Sequence, residues 1–537
     1  MAGMTRDPEQ LTARPFDLLV VGGGIHGLFA AYDAALRGWA VALVDRGDFG
    51  GGISFNHQRT LHGGLRALQS GQVRKCLEQI RERRAWAAIA PHLVRPLPFL
   101  IGTYRGTRRS RLLVRAGFRV YDSLGRRRNL GVLPELHLPK GRMESAAATR
   151  RLFRGINEPG LSGGAIWYDY QTVHPDRLTW CVALAAADAG AQLVNYTDAV
   201  ALHRDGGRVT GVDVRDTLNG ETRTVQASHV LLAAGAGLAS LHDAWGLAPP
   251  PPLVRAANLL LDRPARDIAV AAPSRRGAMY TAVPWREHVL VGTYQSPTVV
   301  SAIHPSLTEE DLDVFLADVG SAFPALEADR AAVRFVHSAC VPARVQGGRV
   351  DLLPESQLLR HQGTDGLLSL VGVKYTTARL SAERAIDLLG APAGRRQTGR
   401  RVLPHADVAD SDGLLQEVLR RHRLGLDRDV MRHLASWYGT EGAAVVNDAA
   451  ESGHLTRLSS TTPVLAGEVV HAVRHGAVVR LADVVFRRTP LASAGDPGPE
   501  ALDRAAALTG DLLGWTPERR AEELALVRAR LTGFETR

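Results

Sequence analysis

A glycine-rich turn stands between two short apolar runs near the start of the chain. The run Phe16–Val21 predicts a strand, the turn Gly22-Gly23-Gly24-Ile25-His26-Gly27 follows, and a helix then leads to a second strand that ends at Asp45. The turn fits G-x-G-x-x-G, in which the glycines permit a tight turn, close approach of a pyrophosphate, and packing of helix on strand. A helix N-terminus favours the diphosphate, and the acid accepts hydrogen bonds from ribose hydroxyls. The sequence therefore predicts a dinucleotide site.

Length and cysteine usage restrict the class of protein. A chain of 537 residues is long enough for two or three domains, and 45% apolar with 22% charged residues is typical of a globular protein. Cys76, Cys181 and Cys340 lie far apart, which argues against a disulfide scaffold or a zinc site. No signal-like core precedes Phe16, and no run of about 18 apolar residues is present. We therefore expect a protein of the reducing cytoplasm.

Part of the net charge of +10 is concentrated in one segment. Its arginines are Arg105, Arg108, Arg109, Arg111, Arg115, Arg119, Arg126, Arg127 and Arg128, against the single acid Asp122. Arg111, Arg115 and Arg119 share a helical face, with apolar residues between them. A basic amphipathic segment of this kind can rest on an anionic membrane surface. The alternative is an arginine-rich face in contact with water; no recognition motif favours nucleic acid.

Strand-like and helical segments alternate along most of the chain, which indicates an α/β fold. Strands are predicted at 209–214 and 222–225 as a hairpin, at 258–261, 280–283 and 288–291, and at 367–371; helices are predicted at about 72–90, 175–189 and 375–389. A Pro/Gly/Arg linker spans 391–401, and beyond about 408 the pattern is helical. A dinucleotide site at the N-terminus whose domain resumes late in the chain favours FAD over NAD.

Several segments carry a more specific signal. They are 90–99 (APHLVRPLPF), 61–66 (LHGGLR), Val283-Pro284-Trp285 followed by Gly292-Thr293, Lys374 with Thr376-Thr377, 433–439 and 468–488. In their order along the chain these segments resemble the FAD-dependent glycerol-3-phosphate dehydrogenase family, and the resemblance runs from Phe16 to the end of the chain.

The resemblance implies the fold and the reaction. The expected fold is α/β, with a Rossmann-like FAD-binding domain (1–75, 164–245 and 350–392), an antiparallel-sheet substrate domain (76–163 and 246–349) and an all-helical C-terminal domain (402–537). The expected reaction moves a hydride from a secondary alcohol, by default glycerol 3-phosphate, to flavin N5. Quinone or oxygen is the expected electron acceptor, and a homo-oligomer is possible.

The resemblance also implies three catalytic residues. His62 would lie beside the flavin as the base that takes the hydroxyl proton; its alternative role is a structural hydrogen bond. Lys374, at the start of a helix, would stabilise reduced flavin or bind substrate, unless it is only an exposed lysine. Arg66 would hold the substrate phosphate, unless it is a plain surface arginine.

The cofactor-binding residues that the motif and the resemblance imply are Gly22, Gly24, Ile25, His26, Gly27, Asp45, Arg46, Ser54, Arg59, His62, Gly63, Gly64, Ala234, Gly235, Gly372, Lys374, Tyr375 and Thr376. The substrate residues it suggests are Arg66, Arg255, Tyr294, Arg344 and Lys374. No metal site is expected.

The chain departs from the family pattern mainly on the substrate side. Ala67 replaces a tyrosine, Val341 stands at the position of an arginine, and Asn258 and Tyr294 lie in altered strands. Arg344 or Arg255 is the candidate to replace the missing arginine. Two alternatives therefore remain beside glycerol 3-phosphate oxidation: an enzyme for another alcohol or an amine, and a non-catalytic flavin-binding protein.

Overall fold

The computed structural model describes residues 3–106, 109–300, 306–392, 396–407, 411–422 and 424–531. The strands are β1 Phe16–Val21, β2 Val41–Val44, β3 Thr60–Leu61, β4 Val94–Tyr104, β5 Arg142–Glu144, β6 Leu161–Thr172, β7 Gln192–Val194, β8 Thr197–Asp205, β9 Arg208–Asp216, β10 Thr222–Leu232, β11 Leu253–Leu261, β12 Ala269–Pro273, β13 Met279–Trp285, β14 His288–Val300, β15 Val333–Gln346, β16 Arg349–Leu352, β17 Gln357–Arg360 and β18 Leu367–Val371.

The helices are α1 Ile25–Leu36, α2 Leu65–Gln69, α3 Val73–Ile89, α4 Arg111–Leu124, α5 Ala146–Leu152, α6 Pro175–Asp188, α7 Leu238–Ala244, α8 Glu309–Ala322, α9 Ala378–Leu388, α10 Ser411–His422, α11 Arg428–Tyr438, α12 Gly442–Glu451, α13 Ala466–His475, α14 Leu481–Asp483, α15 Pro499–Leu513 and α16 Pro517–Leu531. A 3₁₀ turn, Tyr375–Thr377, precedes α9, so the predicted helix at 375 begins one turn later as an α-helix.

The first sheet has the strand order β17-β18-β10-β1-β2-β7. Its central pairs are parallel, and β17 is antiparallel to β18. β2 is buried at every position, because helices α1, α6 and α9 cover one face of the sheet and strands β8 and β9 with α7 cover the other. The predicted hairpin is confirmed by the antiparallel pairing of β9 with β10. The α/β class predicted from the sequence is correct, and this sheet is the Rossmann-like part.

The second sheet is mostly antiparallel, in the order β16-β15-β11-β14-β13-β12-β4-β6-β3. The sequence predicts that residues 164–172 belong to the cofactor domain, and here the structure differs from the prediction. These residues belong to β6, which pairs with β4 over its whole length, from Thr172 opposite Val94 to Leu161 opposite Tyr104. The pairing buries Ala165, Ile166 and Tyr170, which explains why this segment stays with the second sheet.

The C-terminal helices form a core of their own and also pack on the second sheet. The apolar residues of these helices are mostly buried, and Val473 is partly so; the buried ones include Val418, Val430, Leu434, Trp437, Val469, Val484 and Val485. Val469 and Val484 share one cluster with Trp285 and Leu290 of the sheet. This shared cluster fixes the helical domain against the sheet that flanks the cofactor side.

A buried ion cluster joins the helical domain to the loop after β2. Both oxygens of Asp48 accept hydrogen bonds from Arg488, at 2.7 and 2.9 Å, and Arg487 bonds both Asp48 and Asp483. The side chains of all four residues are at most 5% exposed. Burial opposes the charged form of Asp48, but Arg488 and Arg487 outweigh it and lower the pKa of this carboxyl to about 2.

We predict that Asp48→Asn destabilises the protein by about 3–5 kcal/mol, because two guanidinium groups lose a buried partner. In the wild type this carboxylate stabilises the fold above about pH 4, and the contribution disappears as the pH falls toward 2. The variant should therefore lose less stability between pH 5 and pH 3, as measured by urea unfolding at each pH. Asp387→Asn, which removes a half-exposed partner of Arg37 and Arg396, is the control and should change stability little. Equal effects of the two variants would contradict the prediction.

Candidate active site and cofactor cavity

A cavity of about 1090 Å³ opens at the carboxyl ends of the central strands of the first sheet. Parallel α/β sheets bind their ligands at this edge. Its walls come from the turn after β1, residues 45–48 and 51–57 after β2, 196–200 at the start of β8, 234–237 after β10, and 338–342 of β15. Gly372, Val373 and Tyr375 follow β18, and Arg480, Ala482, Arg487, Ala529 and Arg530 come from the helical domain. All parts of the fold therefore meet around it.

The glycine turn has the geometry that the motif requires. Gly22 has φ +110°, a conformation that other residues rarely adopt. A Cβ on Gly27 would lie 1.9 Å from the carbonyl oxygen of Gly22, so only glycine fits where α1 packs against the turn. A Cβ on Gly24 would meet only the Ser54 hydroxyl, at 3.3 Å. The backbone is thus open to a ligand at Gly24 and closed at Gly27.

Two side chains complete this end of the cavity. The Ser54 hydroxyl accepts the N–H of Ile25 at 2.9 Å, at the start of α1. Asp45 accepts the N–H of Gly23 at 2.6 Å and that of Gly47 at 2.8 Å, one on each oxygen. Burial raises the pKa of Asp45, while these two N–H groups act in the opposite direction. A carboxylate fixed in this way has further lone pairs for the hydroxyls of a ribose.

Buried polar atoms on the cavity wall test whether a flavin fits. His26 Nε2, Asn56 Oδ1 and His57 Nε2 have no hydrogen-bond partner within the described ranges. The N–H of Arg59 donates to His57 Nδ1 at 3.0 Å, so Nε2 carries the ring proton. Burial lowers the pKa of His57 to about 3, which keeps the ring neutral. Asn56 Oδ1 can accept a hydrogen bond and His57 Nε2 can donate one. Buried polar groups need partners, and the nitrogen and oxygen atoms of an isoalloxazine ring are suitable partners for both.

His62 lies beside the cavity wall, on the loop between β3 and α2, near enough to the wall residue His57 for its charge to act on that ring. We call the adjoining segments 62–66 and 374–376 the mouth of the site. Its side chain is 54% exposed, and its Nδ1 is 3.4 Å from Asp169 Oδ2. Its backbone N–H donates to Thr376 Oγ1 at 3.1 Å, which ties the loop to the turn before α9. With Nδ1 facing a carboxylate, Nε2 is the atom left to receive a proton. This is the arrangement of a general base with an orienting acid.

Asp169 is held by groups from several elements. It accepts the N–H of Gly63 at 2.7 Å and the indole N–H of Trp167 at 3.3 Å, and it forms a buried ion pair with Arg83. Tyr121 of α4 accepts from Arg83 at 3.1 Å and donates to the Gly63 carbonyl at 3.0 Å. Burial alone would raise the pKa of Asp169, but Arg83 and then His62 hold it below its ordinary value.

Cationic groups border the same mouth. Burial lowers the pKa of Lys374, and the charges of Lys75 and Arg66 lower it further, whereas Glu355 opposes them. Lys75 Nζ is 2.9 Å from Glu355. Arg66 is exposed on α2. Three cations against one acid form a site that favours a substrate with negative charge.

The residues that depart from the family pattern have two different environments. Val341 lines the cavity. Arg344 is exposed on β15 opposite Asp351, outside the cavity wall. Arg255 pairs with Asp311 at 3.0 Å, and the Tyr294 hydroxyl donates to the other oxygen of that acid at 2.8 Å. Arg255 and Tyr294 thus meet each other through Asp311 rather than at the cavity.

The structure brings most of the predicted cofactor residues together. Those on the cavity wall are Gly22, Gly24, Ile25, His26, Asp45, Arg46, Ser54, Ala234, Gly235, Gly372 and Tyr375. Gly27 lies beneath the turn, and His62, Gly63, Gly64, Lys374 and Thr376 lie around the mouth. Arg59 is buried behind the wall, with its guanidinium 3.7 Å from the Trp285 ring centroid.

Some residues of the site had no signal in the sequence. Asp169 is one acid on a strand, and its proximity to His62 depends on a contact across 107 positions of the chain, 62 to 169. Residues 335–342 enter the cavity through sheet pairing, and Arg530 enters through the packing of α16. None of these contacts follows from local pattern.

Comparison with known proteins agrees with this geometry. Residues 17–388 match the model of the FAD dependent oxidoreductase family, and residues 383–520 match the C-terminal domain of alpha-glycerophosphate oxidase. A glycerol-3-phosphate dehydrogenase of Synechocystis sp. is 30% identical over 96% of each chain, and that of Mycobacterium leprae is 31% identical over 97% of this chain and 89% of its own.

A solved structure shares the fold. It is the glycerol-3-phosphate dehydrogenase of Bacillus halodurans in complex with FAD, with a TM-score of 0.74 at 24% identity, covering 98% of this chain and 96% of that one. The cavity, the family match over most of the chain and the full-length relatives lead to one conclusion: the chain belongs to the FAD-dependent glycerol-3-phosphate dehydrogenase family and is an oxidoreductase that acts on a CH–OH group.

Proposed function

We propose that the protein oxidises glycerol 3-phosphate to dihydroxyacetone phosphate. The observation that carries this proposal is the pairing of His62 with the buried Asp169 at a mouth bordered by Lys374, Arg66 and Lys75. This combination offers a base for a hydroxyl proton and a cationic region for a phosphate. The names of the full-length relatives support the same substrate.

Different residues of the chain have separate roles in this reaction. FAD, when bound, supplies the hydride acceptor. His62 Nε2 takes the proton of the substrate hydroxyl while Asp169, at 3.4 Å from Nδ1, orients the ring and stabilises the imidazolium. Lys374 and Arg66 hold the phosphate and so orient the secondary alcohol toward the cavity. Gly22, Gly24, Asp45, Ser54 and the walls described above hold the cofactor.

We predict that anaerobic addition of glycerol 3-phosphate bleaches the flavin absorbance band of the purified holoenzyme, because Lys374 and Arg66 compensate for the arginine absent at Val341. Arg66→Ala should weaken the apparent affinity for glycerol 3-phosphate roughly tenfold to a hundredfold, as loss of a charged hydrogen bond does. Glycerol without phosphate should show no such difference between wild type and variant. Flavin that dithionite reduces and glycerol 3-phosphate leaves oxidised would favour an enzyme for another alcohol.

We predict that Asp169→Asn lowers the rate of flavin reduction by glycerol 3-phosphate about 10- to 100-fold, because the neutral amide orients the His62 ring less well and gives less stabilisation as the proton is transferred. Stopped-flow absorbance of the flavin band measures this rate. Trp167→Phe removes one donor to Asp169 without removing the carboxylate and is the matched control. An equal loss of rate in the two variants would leave the carboxylate a purely structural role.

We further propose that the outer face of α4 rests on an anionic membrane surface. A position on the membrane favours quinone over oxygen as the electron acceptor. Only Phe118 and Tyr121 of this helix are buried. Leu112 is 80% exposed, Leu113 60% and the neighbouring Leu130 64%. Arg108 of the basic segment lies outside the described residues. Exposed leucines among arginines match the acyl and headgroup layers of a membrane.

The charge of this face supports the same partner. Asp122, the single acid between Arg105 and Arg128, bonds Arg128 at 2.8 Å, so the segment keeps a strong positive excess. Each basic residue near an anionic leaflet contributes about 1 kcal/mol. Within the described residues, no helix combines the length and the apolar character that crossing a bilayer needs. The proposed contact is therefore one of lying on the surface.

We predict that the protein sediments with vesicles containing anionic phospholipid and that the bound fraction falls steeply between 50 and 500 mM salt, because the attraction is screened. The double variant Leu112→Ser/Leu113→Ser should reduce binding at low salt, and Leu218→Ser, another exposed leucine away from α4, is the control. Binding that is absent, or that is equal in both variants, would exclude α4 as the contact.

A further inference from the structure

The cofactor cavity receives a cation from the last described helix. Ala529 and Arg530 of α16 line it, together with Arg480 and Arg487. The Arg530 guanidinium lies 5.1 Å from the ring centroid of Phe55 and 4.6 Å from that of Phe486. Phe55 directly follows Ser54, whose hydroxyl bonds the first N–H of α1. Arg530 therefore stands near the end of the cavity where the glycine turn and the helix N-terminus meet.

The acids around Arg530 already have other partners. Asp48 is bonded by Arg487 and Arg488, Asp483 by Arg487. Glu523 is bonded by Arg480 at 3.2 Å and by Arg519 at 2.6 Å. Among the described residues, no carboxylate lies within salt-bridge distance of Arg530. The five arginines of this cluster thus outnumber its three acids, and Arg530 faces the cavity.

Several contacts hold α16 in place. Val527 and Leu531, on either side of Arg530 along the helix, are buried in the core of the helical domain. Glu523 accepts the backbone N–H of Leu481 at 3.1 Å. Desolvation by the surrounding protein, and then the charge of Arg487, lower the pKa of Arg530 to about 10. The side chain is nevertheless exposed to the open cavity that it lines, so an anion bound in the cavity would stabilise its charge.

We propose that Arg530 is a cofactor-binding residue, and that its guanidinium binds the diphosphate of FAD from the C-terminal helix. Diphosphate oxygens are suitable acceptors for a planar guanidinium. The residue lies beyond 520, where the match to the family's C-terminal domain ends. The inference depends on FAD as the cofactor and not on the identity of the substrate.

The test is the affinity of the FAD-depleted protein for FAD and for ADP, which carries the diphosphate without the flavin ring. Flavin fluorescence during titration measures the affinity for FAD, and displacement of FAD by ADP measures the affinity for ADP. Arg530→Ala should weaken both about tenfold to a hundredfold, with a smaller dependence on salt than the wild type has. Arg530→Lys should restore part of the affinity, because it keeps the charge but not the planar pair of donors.

Arg528→Ala is the matched control, since Arg528 lies on the same helix, is half-exposed and pairs with Asp503 at 2.9 Å. It should bind both ligands as the wild type does. Thermal unfolding of the FAD-free proteins should give the same midpoint for wild type and Arg530→Ala, whereas added FAD should raise the midpoint of the variant less. Should Arg530→Ala be unstable, Arg530→Gln gives the same comparison with a side chain of similar length.

Unchanged affinity of Arg530→Ala for both ligands would overturn the proposal, as would loss of FAD affinity with ADP affinity intact, which would place Arg530 at the flavin ring instead. Neither result depends on turnover. A failure of glycerol 3-phosphate to reduce the flavin would leave these binding measurements valid.

Discussion

The buried carboxylate of Asp48 is the interaction on which the assembly of this protein depends. It follows the second strand of the dinucleotide unit, and it forms ion pairs with two adjacent arginines of the helical domain, one of which also pairs with Asp483. Removal of one member of such a cluster destabilises the fold, because each remaining charge is then buried without a partner. The helical domain is therefore coupled electrostatically to the cofactor-binding unit, and this coupling lies in the wall of the cavity itself.

The chemistry at the mouth follows from a separation of charge. One acid, Asp169, is buried next to His62 Nδ1 and fixed by Arg83, whereas the cations Lys374, Arg66 and Lys75 form a separate group before α9 and on α2 and α3. An acid beside the base favours uptake of a proton, and the grouped cations favour an anionic substrate. Val341 stands where the family has an arginine, but other positively charged groups lie near the entrance of this site.

Local motifs allowed much of the fold to be predicted. The unit β1–α1–β2 follows from the glycine spacing, and β18 occupies the predicted residues because an apolar run ends at a polar turn. The error at 164–172 arose because the partner strand of β6 is about seventy positions away and leaves no local trace. The positions of Arg255 and Tyr294 in altered strands suggest that these residues bind substrate. Their common partner Asp311 lies on α8, and no local pattern connects the three.

The cavity wall is completed by residues from opposite ends of the chain. Gly22 and Arg530 face the same space, although almost the whole sequence separates them. The wall is complete only when α16 has packed, so the shape of the cavity in the dinucleotide unit depends on a folded helical domain.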